Sequence, residues 1–90
     1  MNCWSIGTSE LVIKAIKAVS EEEPLGLYPG DLHKRIISEL GGCSDLLVVE
    51  DGWSPIIQKA IQVIIDSELG YVDAEGRLHV SDVARVLASP

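Results

Sequence analysis

The chain has 90 residues, which is room for one domain (1–90) but not for two independent cores. Its 29 Ile, Leu and Val residues, beside two Trp, two Tyr and no Phe, supply an aliphatic core and exclude a disordered chain. A formal net charge of −7 and a pI of about 4.5 set the chain against nucleic acid and anionic membranes at long range, unless a local patch overrides the total.

The opening "MNCWSIGTSE" lacks the basic start and apolar run of a secretory signal. No stretch approaches the roughly 20 apolar residues of a membrane-spanning helix. Cys3 and Cys43 stand far apart in no paired spacing, so a reduced, cytoplasmic protein is expected. Trp4 either docks this segment or belongs to a loose tail.

A first helix is predicted from Thr8 or Ser9 to about Glu21. Leu11, Val12, Ala15, Ile16, Ala18 and Val19 share its broad apolar face, opposite Glu10, Lys14, Lys17 and Glu21. Glu21, Glu22 and Glu23 oppose the helix dipole, which predicts fraying before Pro24 stops the helix. "LGLY", Leu25 to Tyr28, reads as a brief strand or extended connector. A second helix follows Pro29-Gly30, with Asp31 as its expected N-cap and Leu32, Ile36, Ile37 and Leu40 as its buried stripe. Gly41-Gly42 end it.

Within 41–52, the run Leu46–Val49 suits a short buried strand. Ser54 then caps a third helix with Pro55 at its first position, and Leu69-Gly70 close it. "YVDAEGRLHV" reads as strand, turn and strand, with Gly76 supplying positive φ in the loop. Ser81 caps a short final helix carrying Val83, Val86 and Leu87. The expected class is therefore mainly α with a small β-hairpin (α+β): three core helices, a hairpin and a short C-terminal helix.

This order, from Thr8 to Val80, is similar to the winged helix-turn-helix fold. The segment "IIDSELGYVDAEGRLHV" carries the resemblance most strongly, as a helix end, a Gly and then a wing with a Gly turn. The likeness is to a fold, not to one family. It implies that the third helix and the wing tip Asp73–Arg77 face DNA. One departure is that about a dozen residues, not a short turn, separate the second and third helices.

The charges of this reading unit point elsewhere. Asp66, Glu68, Asp73 and Glu75 face only Lys59 and Arg77, and Glu50 and Asp51 precede them. On a helical wheel Gln58, Lys59, Gln62 and Asp66 share one side of the third helix. They form either a base-reading set or a solvated face. Ile56, Ile57, Ala60, Ile61, Val63, Ile64 and Ile65 cover about half the circumference, more than the roughly 100° stripe of a surface helix. That width calls for extra cover, from Leu46–Val49 or from another chain. In the wing, Arg77 alone can meet a phosphate, and affinity for DNA grows with the number of phosphates neutralised. His33-Lys34-Arg35 is the one basic run, either a secondary contact patch or a solvated helix face. Trp53 is either an exposed anchor or a ring folded over the helix start.

No glycine loop of the Walker or dinucleotide type is present, and "DAEGR" lacks the alternating oxygen ligands of a calcium loop. Cys3, His33, Cys43 and His79 have no paired metal-ligand spacing, and nothing orients Cys43 as a nucleophile. No cofactor, metal or enzymatic activity is expected. The preferred reading is a small acidic protein-binding module, an assembly subunit or an inhibitor, with Trp53, Gln58, Lys59, Gln62, Asp66, Asp73, Glu75 and Arg77 as candidate contacts. Its partner would be a protein, basic or nucleic-acid-binding. The alternatives are a homodimeric winged-helix regulator that binds DNA, and a DNA-mimicking phage-type inhibitor of a nucleic-acid enzyme.

Overall fold

The computed structural model describes residues 7–40 and 50–88. The expectations for Cys3, Trp4, Cys43 and a strand at Leu46–Val49 lie outside the described residues. Within them the chain is mainly helical, with one two-stranded antiparallel hairpin.

Helix α1, Thr8–Glu21, spans the predicted range. Its Leu11, Ala15, Ile16, Ala18 and Val19 are buried. At its acidic end, Arg35 of the next helix reaches both Glu21 and Glu22 and answers the charge that opposes the dipole. Helix α2, Pro29–Glu39, starts two residues before the expected cap. Pro29 takes the first turn, where its missing N–H costs nothing. Asp31 therefore lies inside that turn, not at the cap. Leu32, Ile36 and Leu40 are buried and Ile37 is partly so.

Helix α3, Pro55–Asp66, begins as predicted. Ser54 Oγ accepts the Ile57 N–H at 3.4 Å, with Pro55 in the first turn. Its end differs from the expected Leu69-Gly70 stop. Ser67 is the C-cap, and Glu68 follows at φ 59°. The Glu68 N–H donates to the Ile65 carbonyl at 3.1 Å and the Leu69 N–H to the Ile64 carbonyl at 3.0 Å. This is the paired bonding of a Schellman stop, with a glutamate where glycine is favoured. Gly70 serves another purpose. A Cβ there would collide with the His79 carbonyl oxygen and lie 2.8 Å from Ile64 Cγ2. The glycine thus lets the first strand approach both its partner strand and α3.

Strand β1, Gly70–Val72, pairs with β2, Leu78–Val80, in the register Gly70↔Val80, Tyr71↔His79 and Val72↔Leu78. On the far side of β2, Leu27 exchanges two backbone bonds with Leu78, of 3.0 and 2.8 Å. Within "LGLY", Leu25 lies in a turn and Gly26 at φ 84°, while Leu27 and Tyr28 are extended, and β2 lies between Leu27 and β1. Helix α4, Asp82–Ala88, opens with Ser81 Oγ accepting the Ala84 N–H. It docks on α1 through buried Ala84 and Ala88, because small side chains let the helices approach closely. The larger Val83, Val86 and Leu87 consequently face outward.

One aliphatic cluster joins α1, α2, α3, β2 and α4. Each fully buried Leu or Ile in it contributes about 1.5–3 kcal/mol by leaving water. No helix among the described residues is long and apolar enough to cross a membrane.

Two substitutions test the end of α3. Glu68→Gly relieves a positive-φ residue and should raise stability by about 0.5–1 kcal/mol in urea denaturation. Gly70→Ala inserts a Cβ against a backbone carbonyl and should lower stability by roughly 1–3 kcal/mol. An unchanged midpoint for both would contradict this geometry.

Candidate functional site

The surface of α3 and the hairpin loop was the expected contact region, and the structure rearranges its membership. The exposed stripe of α3 is Pro55, Lys59, Gln62 and Asp66. Gln62 Nε2 donates to Asp66 Oδ1 at 2.8 Å, so these two side chains are paired along the helix. Gln58 does not share the exposed face. It is half-buried with Oε1 enclosed, because it sits one position round the helix, toward α2.

The wide apolar arc of α3 is mostly covered from within the chain. Ile57, Ala60, Ile61 and Ile64 are buried among α1, α2 and the hairpin, while Ile56, Val63 and Ile65 are half-buried. The exposed large apolar residues instead include Tyr71 and Val72 on β1 and Val83, Val86 and Leu87 on α4. Sequence reasoning missed this surface because an outward-facing Val in a short helix has the same local pattern as an inward-facing one.

His33, Lys34 and Arg35 do not form a patch, since successive helix positions point in three directions. Lys34 is exposed and Arg35 is held by Glu21 and Glu22. His33 is fully buried. Its Nδ1 accepts the Ser54 N–H at 3.0 Å, and Trp53 stacks on its ring with centroids 3.7 Å apart. That acceptor role puts the proton of the neutral ring on Nε2, on the side of Gln58, whose buried Oε1 does not meet it in hydrogen-bond geometry. Burial lowers the His33 pKa, and the Gln58 side chain offsets part of that effect. Trp53 is both packed over the helix start and exposed. One face covers His33 at the helix start, and the residue stays 42 % exposed. Glu50 and Trp53 exchange backbone bonds of 2.9 Å around a turn with Asp51 at φ 52° and Gly52 at φ 76°.

The hairpin loop is organised by Asp73. Its Oδ1 accepts the N–H groups of Glu75 and Arg77 at 2.9 and 3.0 Å, and its own N–H donates to the Arg77 carbonyl. Gly76 supplies the positive φ, at 87°. Arg77 is not a free wing-tip cation. Its guanidinium lies 3.1 Å from Glu75 Oε2 and 5.0 Å from the centre of the Tyr28 ring.

The main polar assembly was not foreseen as such. His79 lies on the polar side of the hairpin, yet it is only 7 % exposed. Its Nε2 donates to Asp73 Oδ2 at 2.6 Å, and its Nδ1 sits 3.2 Å from both carboxylate oxygens of Glu23. Glu23 Oε1 also accepts the Val80 N–H at 3.3 Å. Tyr71 stacks on one side of the ring. On another side Gly26, at φ 84°, leaves the space that a Cβ would take from Cε1 and Nε2. A neutral imidazole can donate through only one nitrogen, so two carboxylates favour the doubly protonated ring. The hydrogen bond to Asp73 is the largest cause of a raised His79 pKa, followed by that to Glu23, against the opposing effect of burial. The same bond, with the Arg77 N–H next, holds Asp73 below its ordinary value. The visible signal was only the pattern "EEEPLG" and "LHV", and their meeting depends on tertiary structure.

Among the described residues no group of three or more His, Cys, Asp or Glu is placed to hold a metal ion. Compared with known proteins, the chain matches no protein family, no curated protein and no solved structure.

The two histidines predict opposite pH limbs. His79, with its folded pKa raised above the unfolded value, stabilises fully below about pH 6.5, and that contribution fades as pH rises through the folded value. His33, with its folded pKa lowered, costs stability as pH falls below about 6.5, because the unfolded chain then binds a proton that the fold refuses. Asp73 adds a loss only at more acid pH, as it takes up its proton. Urea midpoints should therefore peak at about pH 6.5 and decline on both sides. His79→Gln should abolish the alkaline decline. A wild-type midpoint that stays level above neutrality would show that His79 carries no extra proton in the fold.

Proposed function

We propose that this chain is a small acidic protein-binding module of winged-helix-like architecture, which meets a basic protein surface as an assembly subunit or an inhibitor. What supports the architecture is the element order together with the Leu27–Leu78 bridge, which puts the connector after α1 beside the hairpin. The observation that carries the binding reading is the use of the arginines. Arg35 is held by Glu21 and Glu22, Arg77 by Glu75 and Tyr28, and Arg85 by Asp82. No guanidinium on α3 or the loop is left to grip a phosphate, and Lys59 is the sole cation on the exposed stripe of α3. Glu50, Asp51, Asp66, Glu68 and Glu75 are exposed as well. Such a surface attracts cationic partners and repels the DNA backbone. The role is binding, not catalysis.

Fluorescence anisotropy separates the two classes of partner. A labelled oligolysine peptide should bind at low salt and be released as salt rises, while a labelled mixed-sequence duplex should not bind even at low salt. The double substitution Lys59→Glu with Arg77→Glu should leave oligolysine binding undiminished. Duplex binding that weakens steeply with salt and disappears in the double variant would overturn the reading in favour of a DNA-binding regulator.

A further inference from the structure

The hairpin leaves one edge open. The Ser81 N–H donates to the Leu69 carbonyl at 2.8 Å, and the Asp73 N–H to the Arg77 carbonyl at 2.9 Å. With Tyr71 opposite His79, this alternation turns the odd-numbered residues from Leu69 to Asp73 toward β2. Gly70 and Val72 therefore point their N–H and C=O groups away from it. The same alternation on β2 sends the Leu78 groups to Leu27, so β2 is paired on both sides and β1 on one. Among the described residues no hydrogen bond reaches the outward groups of Gly70 or Val72. Beside this edge runs an open groove of about 660 Å³, with Ile65, Tyr71 and Val72 in its apolar lining and Gln62 and Glu68 among its polar residues.

We propose that β1 is a strand-addition site: an extended, cationic segment of a partner protein pairs with the backbone of Gly70 and Val72 and lays its apolar side chains along Ile65 and Val72. This rests on the protein-binding reading above and gives it a location and a mode. Unpaired edge donors and acceptors are a ready template for another strand, and a flanking groove selects alternate side chains. Charge selects the occupant. Among the described residues Glu68 is the sole charged one lining the groove, Asp66 lies one turn away, and no lysine or arginine lines it. A second copy of this chain fits poorly. Antiparallel pairing of β1 with itself, Gly70 opposite Val72, would set Glu68 of each copy against the Asp73–Glu75 stretch of the other, acid against acid.

The test uses the whole protein and a capped peptide of alternating lysine and valine. Binding is followed by heteronuclear NMR with amide exchange. The expected result is slowed exchange of the Gly70 and Val72 N–H groups and shifts in Ile65 and Glu68. The same peptide with glutamate for lysine should not bind. Methylating alternate backbone nitrogens of the lysine peptide should weaken binding at least ~10-fold, since it removes the strand bonds and keeps the charge. Val72→Pro makes the complementary change on the protein, deleting an outward N–H that an edge strand can spare, and should weaken binding similarly. Glu68→Lys should also weaken it. Tight binding whose shifts centre away from β1, or that is indifferent to methylation, overturns strand addition and leaves the acidic-module reading standing. No binding of the lysine peptide at low salt overturns both.

Discussion

The His79 side chain between Glu23 and Asp73 is the interaction on which the hairpin's placement depends. It ties together the chain just after α1, the middle of β2 and the first residue of the loop, adding side-chain bonds to the Leu27–Leu78 and Asp73–Arg77 backbone contacts. The geometry tolerates little variation. Gly26 must lack a side chain for the ring to fit, and Glu23 also receives the Val80 N–H, so one carboxylate positions both the imidazole and the strand backbone. A network of this kind gains from low local dielectric only when every donor and acceptor is met, and here both ring nitrogens have a carboxylate.

The same economy governs the acids along the chain. Glu21 and Glu22 face Arg35, Glu23 faces His79, Asp73 closes its own loop and Glu75 faces Arg77. These pairings, with that of Asp82 and Arg85, use up the arginines and leave a surplus of exposed carboxylates, because the chain has 14 acidic against seven basic residues. The external character of the molecule thus follows from its internal bonding. What remains outside is negative charge, a few lysines, and apolar surface on β1 and α4 that the core does not need.

Much of the fold was legible from local chemistry. The extent of α1, the Ser54–Pro55 start of α3, the Gly76 turn and the Ser81 cap each rest on residues within a few positions of one another, and each stands where that chemistry puts it. The candidate site was less legible. Gln58 and His33 both look like surface residues by type, yet one is half-buried and the other enclosed under Trp53. Glu68 carries a backbone conformation that its type disfavours, and the helix stop there could be read only from the hydrogen bonds. On α4 the apolar pattern had two solutions. Close approach to α1 selected the alanines for the interior and turned Val83, Val86 and Leu87 outward.

The sequence by itself determined the helices, the hairpin and the acidic character, because periodicity, capping and net charge are properties of neighbours in the chain or of the whole composition. Only the tertiary structure decided which histidine would have its pKa lowered by burial and which would have it raised between two carboxylates. It also decided which arginine met which acid and which strand edge stayed open. Those outcomes depend on groups far apart in sequence, as with Glu23 and His79 or Arg35 and Glu21, and on how closely backbones approach at Gly26 and Gly70. Local pattern carries no information about either distance.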